Sequence, residues 1–326
     1  MKKVLVMVPC RENHKKMLEE AGQGQCEFSF VSEEESDAVK QAAVEQANII
    51  IGEPRKRYLQ NVPDLEWVQM TWAGTDVYTK KPGFPRRVKL TNMTGAFGGV
   101  IAEYAFSGIL ALYRHLPTYG KQQRQHLWQE AVPERTIEGK RALILGAGDI
   151  GENMARRLKA FGAYVVGTRR VVRQKPDCFD EMVTLDALDE QLPQADIVMG
   201  CLPNTPATTG LFDRERLLRM KKDAILVNVG RGSLIVTDDL AAVMAQGHLY
   251  GAVIDVTEPE PLPEDHPLWD LENVILTPHM AGPSFNGCAE TDDKIYAICC
   301  ENLKRYLAGQ PLCNEVNWET GYRKVQ

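Results

Sequence analysis

No apolar run in the 326 residues is long enough to cross a bilayer, so no membrane-spanning helix is expected. The opening MKKVLVMVPC has two lysines and a short apolar stretch, without the length or small-residue cleavage site of a secretory signal, and it reads as a first strand. An excess of positive charge is also lacking. With 38 Lys and Arg against 44 Asp and Glu the net charge is −6, which argues against a chain held to nucleic acid by overall charge. The eight cysteines (Cys10, Cys26, Cys178, Cys201, Cys288, Cys299, Cys300 and Cys313) form no Cys-x-x-Cys pair. Zinc ligation lacks its spacing, no metal site is expected, and reduced thiols of a cytoplasmic protein are the simplest reading. Repeats of fixed period and low-complexity tracts are absent, and the length suits two domains or one large one.

What is present is alternation. KVLVMV, CEFSFV, ANIIIG, LEWVQMT and VKLTN read as short strands, with a helical stretch near Glu12 to Ala21 after the first. This pattern predicts an α/β layer on a mostly parallel sheet. GGVIAEYAFSGILALYRHLP crowds apolar residues over about twenty positions between a glycine pair and a proline, and predicts one long buried helix. A polar segment follows, TYGKQQRQHLWQEAVPERTIEGK, read as a helix plus a linker or arm. A second alternation then runs through RALILGA, AYVVG, ADIVMGCL, AILVNV, GAVIDV and NVILTP. TDDLAAVMAQG is a helix that Thr237 can cap and Gly247 can stop, and CAETDDKIYAICCENLKRYLAGQ is a last helix ended by glycine.

LILGAGDIG sets Gly146, Gly148 and Gly151 in the G-x-G-x-x-G spacing, after an apolar strand and at the start of a helix with Ile150, Met154 and Leu158 on one face. With AYVVG following as a strand, this is a dinucleotide-binding βαβ unit. Gly146 permits the tight turn, Gly148 lets a pyrophosphate approach the backbone, and Gly151 lets helix and strand pack closely; the helix-start N–H groups, from Asp149 and Ile150 on, face the phosphates. NAD-binding chains usually place a carboxylate after the second strand to hold the ribose 2′-OH. Here stand Thr168, Arg169 and Arg170, which suit a 2′-phosphate and favour NADPH over NADH, with Arg173 a further possible contact.

Four later motifs, CLPNTPAT, NVGRG, DVTEPEPLP and TPHMAG, each end a strand, and ligands of open α/β sheets sit outside the carboxyl ends of strands. Arg231, Asp255, Glu260 and His279 should therefore converge. Arg231 poses the sharpest question, because an always-charged guanidinium between two glycines needs an anionic partner. His14, His115, His126, His248 and His266 lack comparable context and read as structural.

The chain resembles the D-isomer-specific 2-hydroxyacid dehydrogenases, in their glyoxylate/hydroxypyruvate reductase-like branch. The likeness runs through WAGTD at 72–76, GGVIAEYAFSGILALYR at 98–114, the glycine loop, LPNTPAT, NVGRGSLIV, DVTEPEPLP, TPHMAG and VNWETGY. It implies two doubly wound parallel-sheet domains, a Rossmann cofactor domain (98–284) inserted into a flavodoxin-like substrate domain (1–97 and 285–326), with hinges near 95–98 and 282–286 and a two-fold dimer contact through 98–140. It also implies a catalytic trio of Arg231, Glu260 and His279 that reduces a small 2-oxo acid to the D-2-hydroxy acid. Arg231 would grip the carboxylate and polarise the carbonyl. His279 would give the proton, and Glu260 would hold its other ring nitrogen and favour the imidazolium. Glu260 is preferred to Glu258 because it precedes PLP. Asp255 is expected to hold the nicotinamide amide, and Leu202, Pro203, Thr208, Val229, Gly230 and Gly282 complete the expected cofactor contacts. Backbone N–H groups of Trp72, Ala73 and Gly74 would take the substrate carboxylate, with Trp72 lining the pocket. Two alternatives are a nucleotide-sensing corepressor, disfavoured by the complete trio and the lack of long disordered extensions, and a phosphoglycerate dehydrogenase, disfavoured because no regulatory domain follows the last helix.

Overall fold

A computed structural model describes residues 1–323 apart from Lys81, Arg173, Asn286 and Thr320. The chain divides into two compact units, Met1–Phe97 with Pro283–Gln326, and Gly98–Gly282.

The first unit opens with β1 (Lys2–Val6), α1 (Glu12–Gly22), β2 (Cys26–Phe30), α2 (Asp37–Gln46), β3 (Ile49–Ile51), β4 (Trp67–Gln69), the single turn α3 (Asp76–Thr79) and β5 (Lys89–Thr91). The five strands pair in the order β2-β1-β3-β4-β5, all parallel. Short apolar strands such as Ile49, Ile50 and Ile51, wholly buried, are what a sheet covered on both faces requires.

The second unit begins with α4 (Gly98–Tyr113) and α5 (Leu116–Arg124). The long helix is thus shorter than its apolar run: His115 takes a left-handed φ of 51° and the chain restarts with Pro117 in the first turn of α5. There follow β6 (Arg141–Leu145), α6 (Asp149–Ala160), β7 (Tyr164–Thr168), β8 (Glu181–Val183), α7 (Leu188–Gln191), β9 (Ile197–Gly200), α8 (Arg214–Arg219), β10 (Ile225–Asn228), α9 (Thr237–Ala245), β11 (Gly251–Ile254) and β12 (Val274–Leu276). Seven parallel strands lie in the order β12-β11-β10-β9-β6-β7-β8. The order reverses between β6 and β9, the place where doubly wound sheets bind ligands.

Strand side chains alternate between two cores. Ala142, Ile144, Ile197, Met199, Ile225 and Val227 pack on one face with α4 and α6, while Leu143, Leu145, Val198 and Leu226 pack on the other with α8 and α9. Two doubly wound parallel-sheet units are the fold class that the family resemblance implies, and their parallel layers are what the alternation of runs predicts. β8, an edge strand of partly buried Glu-Met-Val, carries too little apolar signal to be read from sequence.

The chain then returns to the first unit with α10 (Ala289–Leu307), which packs on α1 and ends before Gly309 at a φ of +66°, and closes with the two-residue strands β13 (Val316–Asn317) and β14 (Tyr322–Arg323). Among the described residues no helix is long and apolar enough to cross a membrane.

Candidate active site

The glycine loop sits at the point of strand-order reversal. Gly146 has a φ of +105°, and a β-carbon on Gly151 would lie 2.2 Å from the Gly146 carbonyl oxygen, so the turn and the first turn of α6 exclude larger residues. At Gly148 a β-carbon would meet nothing, so this position faces open space. The Ala147 N–H donates to the Thr168 carbonyl and the Gly146 N–H to the buried Thr168 hydroxyl (3.1 Å), so Thr168 props the turn from β7. The first N–H groups of α6, including those of Ile150 and Gly151, have no helical acceptor and supply the positive end of the helix. An open glycine before a helix N-terminus fits a pyrophosphate.

The flanking side chains are partly engaged. Asp149 accepts the Gly98 N–H through Oδ2 (3.0 Å) and so anchors the start of α4. Arg169 donates from Nε to the Ala147 carbonyl (2.8 Å) and pairs with Glu152 (2.8 Å), which lays its guanidinium along the glycine turn; Arg170 is exposed, and Arg173 lies outside the described residues. The loop after β9 is knitted by buried Thr208, whose hydroxyl accepts the Thr205 N–H (2.8 Å) and donates to the Pro203 carbonyl (2.5 Å), with Leu202 partly buried beside it. Val229 is buried, and Gly282 closes the unit.

Arg231, Asp255, Glu260 and His279 follow the carboxyl ends of three neighbouring strands. Asn228 of β10 pairs with Ile254 of β11, and Ile254 with Leu276 of β12. Strands are spaced about 4.8 Å apart, so the roots of the Arg231 and His279 loops lie roughly 10 Å apart. The Arg231 turn is braced by buried Asn228, whose Nδ2 donates to the Arg231 carbonyl (3.0 Å) and whose Oδ1 accepts the Gly230 N–H (3.2 Å). A guanidinium N–H of Arg231 donates to the Gly230 carbonyl (2.8 Å). A β-carbon on Gly232 would fall 1.8 Å from the Thr257 carbonyl oxygen, which is how close the Glu258–Glu260 loop comes to this turn.

That loop has a second brace. Thr237 does not cap α9, as its position suggested; Val236 holds the cap position without a side-chain bond. The Thr237 hydroxyl instead donates to the Glu258 carbonyl (2.7 Å) and accepts the Glu258 N–H (3.3 Å), because these backbone groups have no strand partner. The Thr257 hydroxyl donates to the Pro259 carbonyl (2.8 Å). The result is that Glu260, not Glu258, reaches the histidine: Glu260 Oε1 lies 2.7 Å from His279 Nδ1.

His279 is set from beneath by Asp255. Its backbone has a left-handed φ of 53°, and its N–H donates to the Asp255 carbonyl (2.8 Å). The buried Asp255 carboxylate accepts the N–H groups of Met280 (2.8 Å) and Ala281 (3.0 Å) and the hydroxyl of Thr277 (2.6 Å). Tyr104 of α4 completes the chain at 2.5 Å from the Thr277 hydroxyl. Burial pushes the Tyr104 phenol up to about 12, so it stays protonated and donates to Thr277. Asn228, Thr277 and Tyr104 escape a sequence reading, because polar residues beside apolar runs reveal their partners only in three dimensions.

In the first unit, the loop after β4 carries Trp72, Ala73 and Gly74, with the Trp72 ring half exposed. The Trp72 carbonyl accepts the Met93 N–H (3.0 Å) and the Ala73 carbonyl accepts Asn92 Nδ2 (2.8 Å). The Thr71 and Trp72 N–H groups donate to Glu53 (2.6 and 3.2 Å). Among the described residues the N–H groups of Ala73 and Gly74 find no acceptor. Two adjacent backbone donors of this kind can receive an anion.

Residues 106–281 match the family described as D-isomer specific 2-hydroxyacid dehydrogenase, NAD binding domain. A crystal structure of a D-isomer specific 2-hydroxyacid dehydrogenase family protein from Aeromonas salmonicida is 36% identical, with a TM-score of 0.86 over 97% of this chain and 99% of that one. Another family structure, from Xanthobacter autotrophicus in complex with NADPH and MES, is 29% identical with a TM-score of 0.82 over 99% of this chain and 100% of its own. The glyoxylate reductase of Korarchaeum cryptofilum is 31% identical over 79% of this chain and 77% of its own length. The chain also matches a D-3-phosphoglycerate dehydrogenase of Mycobacterium bovis at 33% identity, and spans about half (48%) of that protein's length. A glycine loop where the strand order reverses, a histidine–carboxylate pair at the same sheet edge and these likenesses agree: the chain belongs to the D-isomer specific 2-hydroxyacid dehydrogenase family, whose members are NAD(P)-dependent oxidoreductases.

Proposed function

We propose that the protein reduces a small 2-oxo acid of the glyoxylate or hydroxypyruvate kind to the D-2-hydroxy acid, and that it uses NADPH in preference to NADH. The observation that carries this reading is the 2.7 Å contact between His279 Nδ1 and Glu260 on the sheet edge that also bears Arg231. The cofactor, when bound, supplies the hydride. Gly148 and the α6 N-terminus would hold its pyrophosphate, with Leu202, Pro203, Thr208, Val229, Gly230, Asp255 and Gly282 around the remainder. Arg231 binds the substrate carboxylate and polarises the carbonyl. With Nδ1 held by Glu260, His279 presents Nε2 as the proton donor to the oxygen that gathers charge. The Ala73 and Gly74 N–H groups take the carboxylate, beside Trp72. A glyoxylate reductase among the relatives and a relative crystallised with NADPH support both halves of the reading.

Arg169 and Arg170 stand where a carboxylate for the ribose would, and Arg169 is already laid along the glycine turn by Ala147. Replacing both with alanine is expected to raise the KM for NADPH about tenfold, the loss of one charge-assisted contact, with little change for NADH. Steady-state kinetics over glyoxylate, hydroxypyruvate and 3-phosphohydroxypyruvate, each with NADPH and NADH, test the proposal. The last substrate represents the phosphoglycerate reading, which the mycobacterial likeness supports. Activity with 3-phosphohydroxypyruvate alone, or equal use of both nucleotides, contradicts the proposal. The exposed Leu116, Leu127, Trp128 and Val132 support a homodimer through residues 98–140. Sedimentation at micromolar concentration checks it, and a monomer there contradicts it.

A further inference from the structure

Glu53 follows β3, and nothing in its local sequence, IIIGEPRK, marks it as functional. Its carboxylate is nonetheless the centre of the loop that carries Trp72. Oε1 accepts the N–H of Thr71 at 2.6 Å and that of Trp72 at 3.2 Å, and the Thr71 hydroxyl lies 3.0 Å from Oε2 and 3.1 Å from Oε1. No cation pairs with it among the described residues. The titratable groups that feel its charge are the Tyr78 phenol of α3, which donates to the Pro54 carbonyl (2.7 Å), and the Cys299 thiol of α10; burial raises both and keeps them neutral. A carboxylate without a cation, occupied with fixing two consecutive N–H groups, determines where the next two point.

We propose that Glu53 is a positioning residue for substrate binding: by holding the Thr71 and Trp72 N–H groups it aims the Ala73 and Gly74 N–H groups at the carboxylate of the 2-oxo acid. The inference rests on the loop role given under Proposed function and adds a residue and a regulation to it. Burial lifts the Glu53 carboxyl to about 7, so neutral and ionised forms coexist near neutrality. The neutral form keeps both backbone bonds through Oε1 and turns the Thr71 contact round, its O–H donating to the Thr71 hydroxyl. The ionised form keeps the same bonds but sets a negative charge behind an anion receptor. Substrate binding therefore weakens as pH rises through neutrality, with the loop unmoved. Glutamine copies the neutral form, and alanine releases the loop.

The test is titration of oxamate, a non-reacting analogue of a 2-oxo acid, into the NADPH complex of the full chain. It follows fluorescence from pH 5.5 to 8.5, for wild type, Glu53→Gln and Glu53→Ala. The expected result is an alanine variant that binds oxamate about tenfold more weakly than wild type at pH 5.5, the loss of one well-placed contact, and by a smaller factor at pH 8.5, where the wild-type carboxylate repels the ligand, with NADPH affinity unchanged. Glu53→Gln binds as wild type does at pH 5.5 and more tightly than wild type by severalfold at pH 8.5. The comparison between these two proteins cancels titration of the other site residues. Should the alanine variant melt below the assay temperature, the pH dependence of the wild-type to Glu53→Gln ratio decides alone. A ratio constant with pH, or an alanine variant within twofold of wild type at pH 5.5, overturns the role of Glu53 and leaves the loop assignment standing. Wild type that fails to bind oxamate in the presence of NADPH overturns both.

Discussion

Two histidine–carboxylate pairs in this chain have nearly the same length and very different settings. His279 and Glu260 meet at 2.7 Å on a loop at the carboxyl edge of the second sheet, with side chains 51% and 42% exposed. His14 and Asp293 meet at 2.8 Å where α1 packs on α10, with the His14 side chain only 1% exposed. The His14 ring stacks on Tyr296, with centroids 4.1 Å apart, its Nδ1 has no partner among the described residues, and Arg11 lies 2.6 Å from the same carboxylate. Asp293 is held below the usual carboxylate range by the hydrogen bond from His14 and then by the Arg11 charge. The distance is thus no guide to function. The difference lies in what each ring can reach: among the described residues His279 keeps a ring nitrogen open on the sheet edge that also bears the Arg231 loop, whereas His14 is closed in by a tyrosine and an arginine.

The largest separation between the pairs is expected in turnover. His279→Asn should lower kcat by about 10²–10⁴-fold, the usual worth of a positioned general acid, with the melting temperature near wild type. His14→Asn should leave kcat within about threefold and destabilise the fold by about 1–3 kcal/mol, the range for a buried polar group deprived of its partners. Steady-state assays and thermal melts of the two variants check both halves.

The next effect concerns the bracing of the site. Gly232→Ala would set a methyl group 1.8 Å from the Thr257 carbonyl oxygen, so backbone must move. The expected cost is about 2–4 kcal/mol of stability together with lost activity, since the Arg231 turn and the Glu260 loop meet there. A chemical-denaturation curve matching wild type would show that the two loops can part without consequence.

The first unit supplies a smaller, pH-dependent contrast. The folded value of about 7 for Glu53 lies above its ordinary 4.5. Between those values the folded protein binds more protons than the unfolded chain, so this group's contribution to stability falls as pH rises through that window and levels off above about 7. Glu53→Gln removes the effect. Its stability relative to wild type should therefore improve from pH 5 to pH 8 by about 1–2 kcal/mol, a discounted figure because the carboxylate is not wholly cut off from water. Melting curves at the two pH values measure it.

The same contrast explains what could be read from the sequence. Strand runs such as ANIIIG and AILVNV are legible because both faces of a parallel strand are buried, and the glycine loop because Gly146 and Gly151 each meet a steric demand while Gly148 between them stands open. Arg231, Glu260 and His279 follow strand ends, so topology alone carries them to one edge. The braces are illegible for the opposite reason. Glu53 serves a loop 18 residues away, Tyr104 a threonine 173 residues away, and Thr237, which looks like a helix cap, serves Glu258. Each is an ordinary polar residue whose partner is fixed only by the fold. The lower number of apolar positions in β8 and the break at His115 are hidden likewise, since an edge strand and a left-handed residue leave no periodic trace.

The central claim is that a carboxylate holds one exposed histidine as the proton donor, and the kcat of Glu260→Gln beside that of Glu258→Gln tests it most directly. The account predicts that Glu260→Gln lowers kcat about tenfold or more, because the ring loses the carboxylate that holds its Nδ1, while Glu258→Gln keeps the wild-type kcat. A lowered kcat for Glu258→Gln with Glu260→Gln unchanged would contradict it.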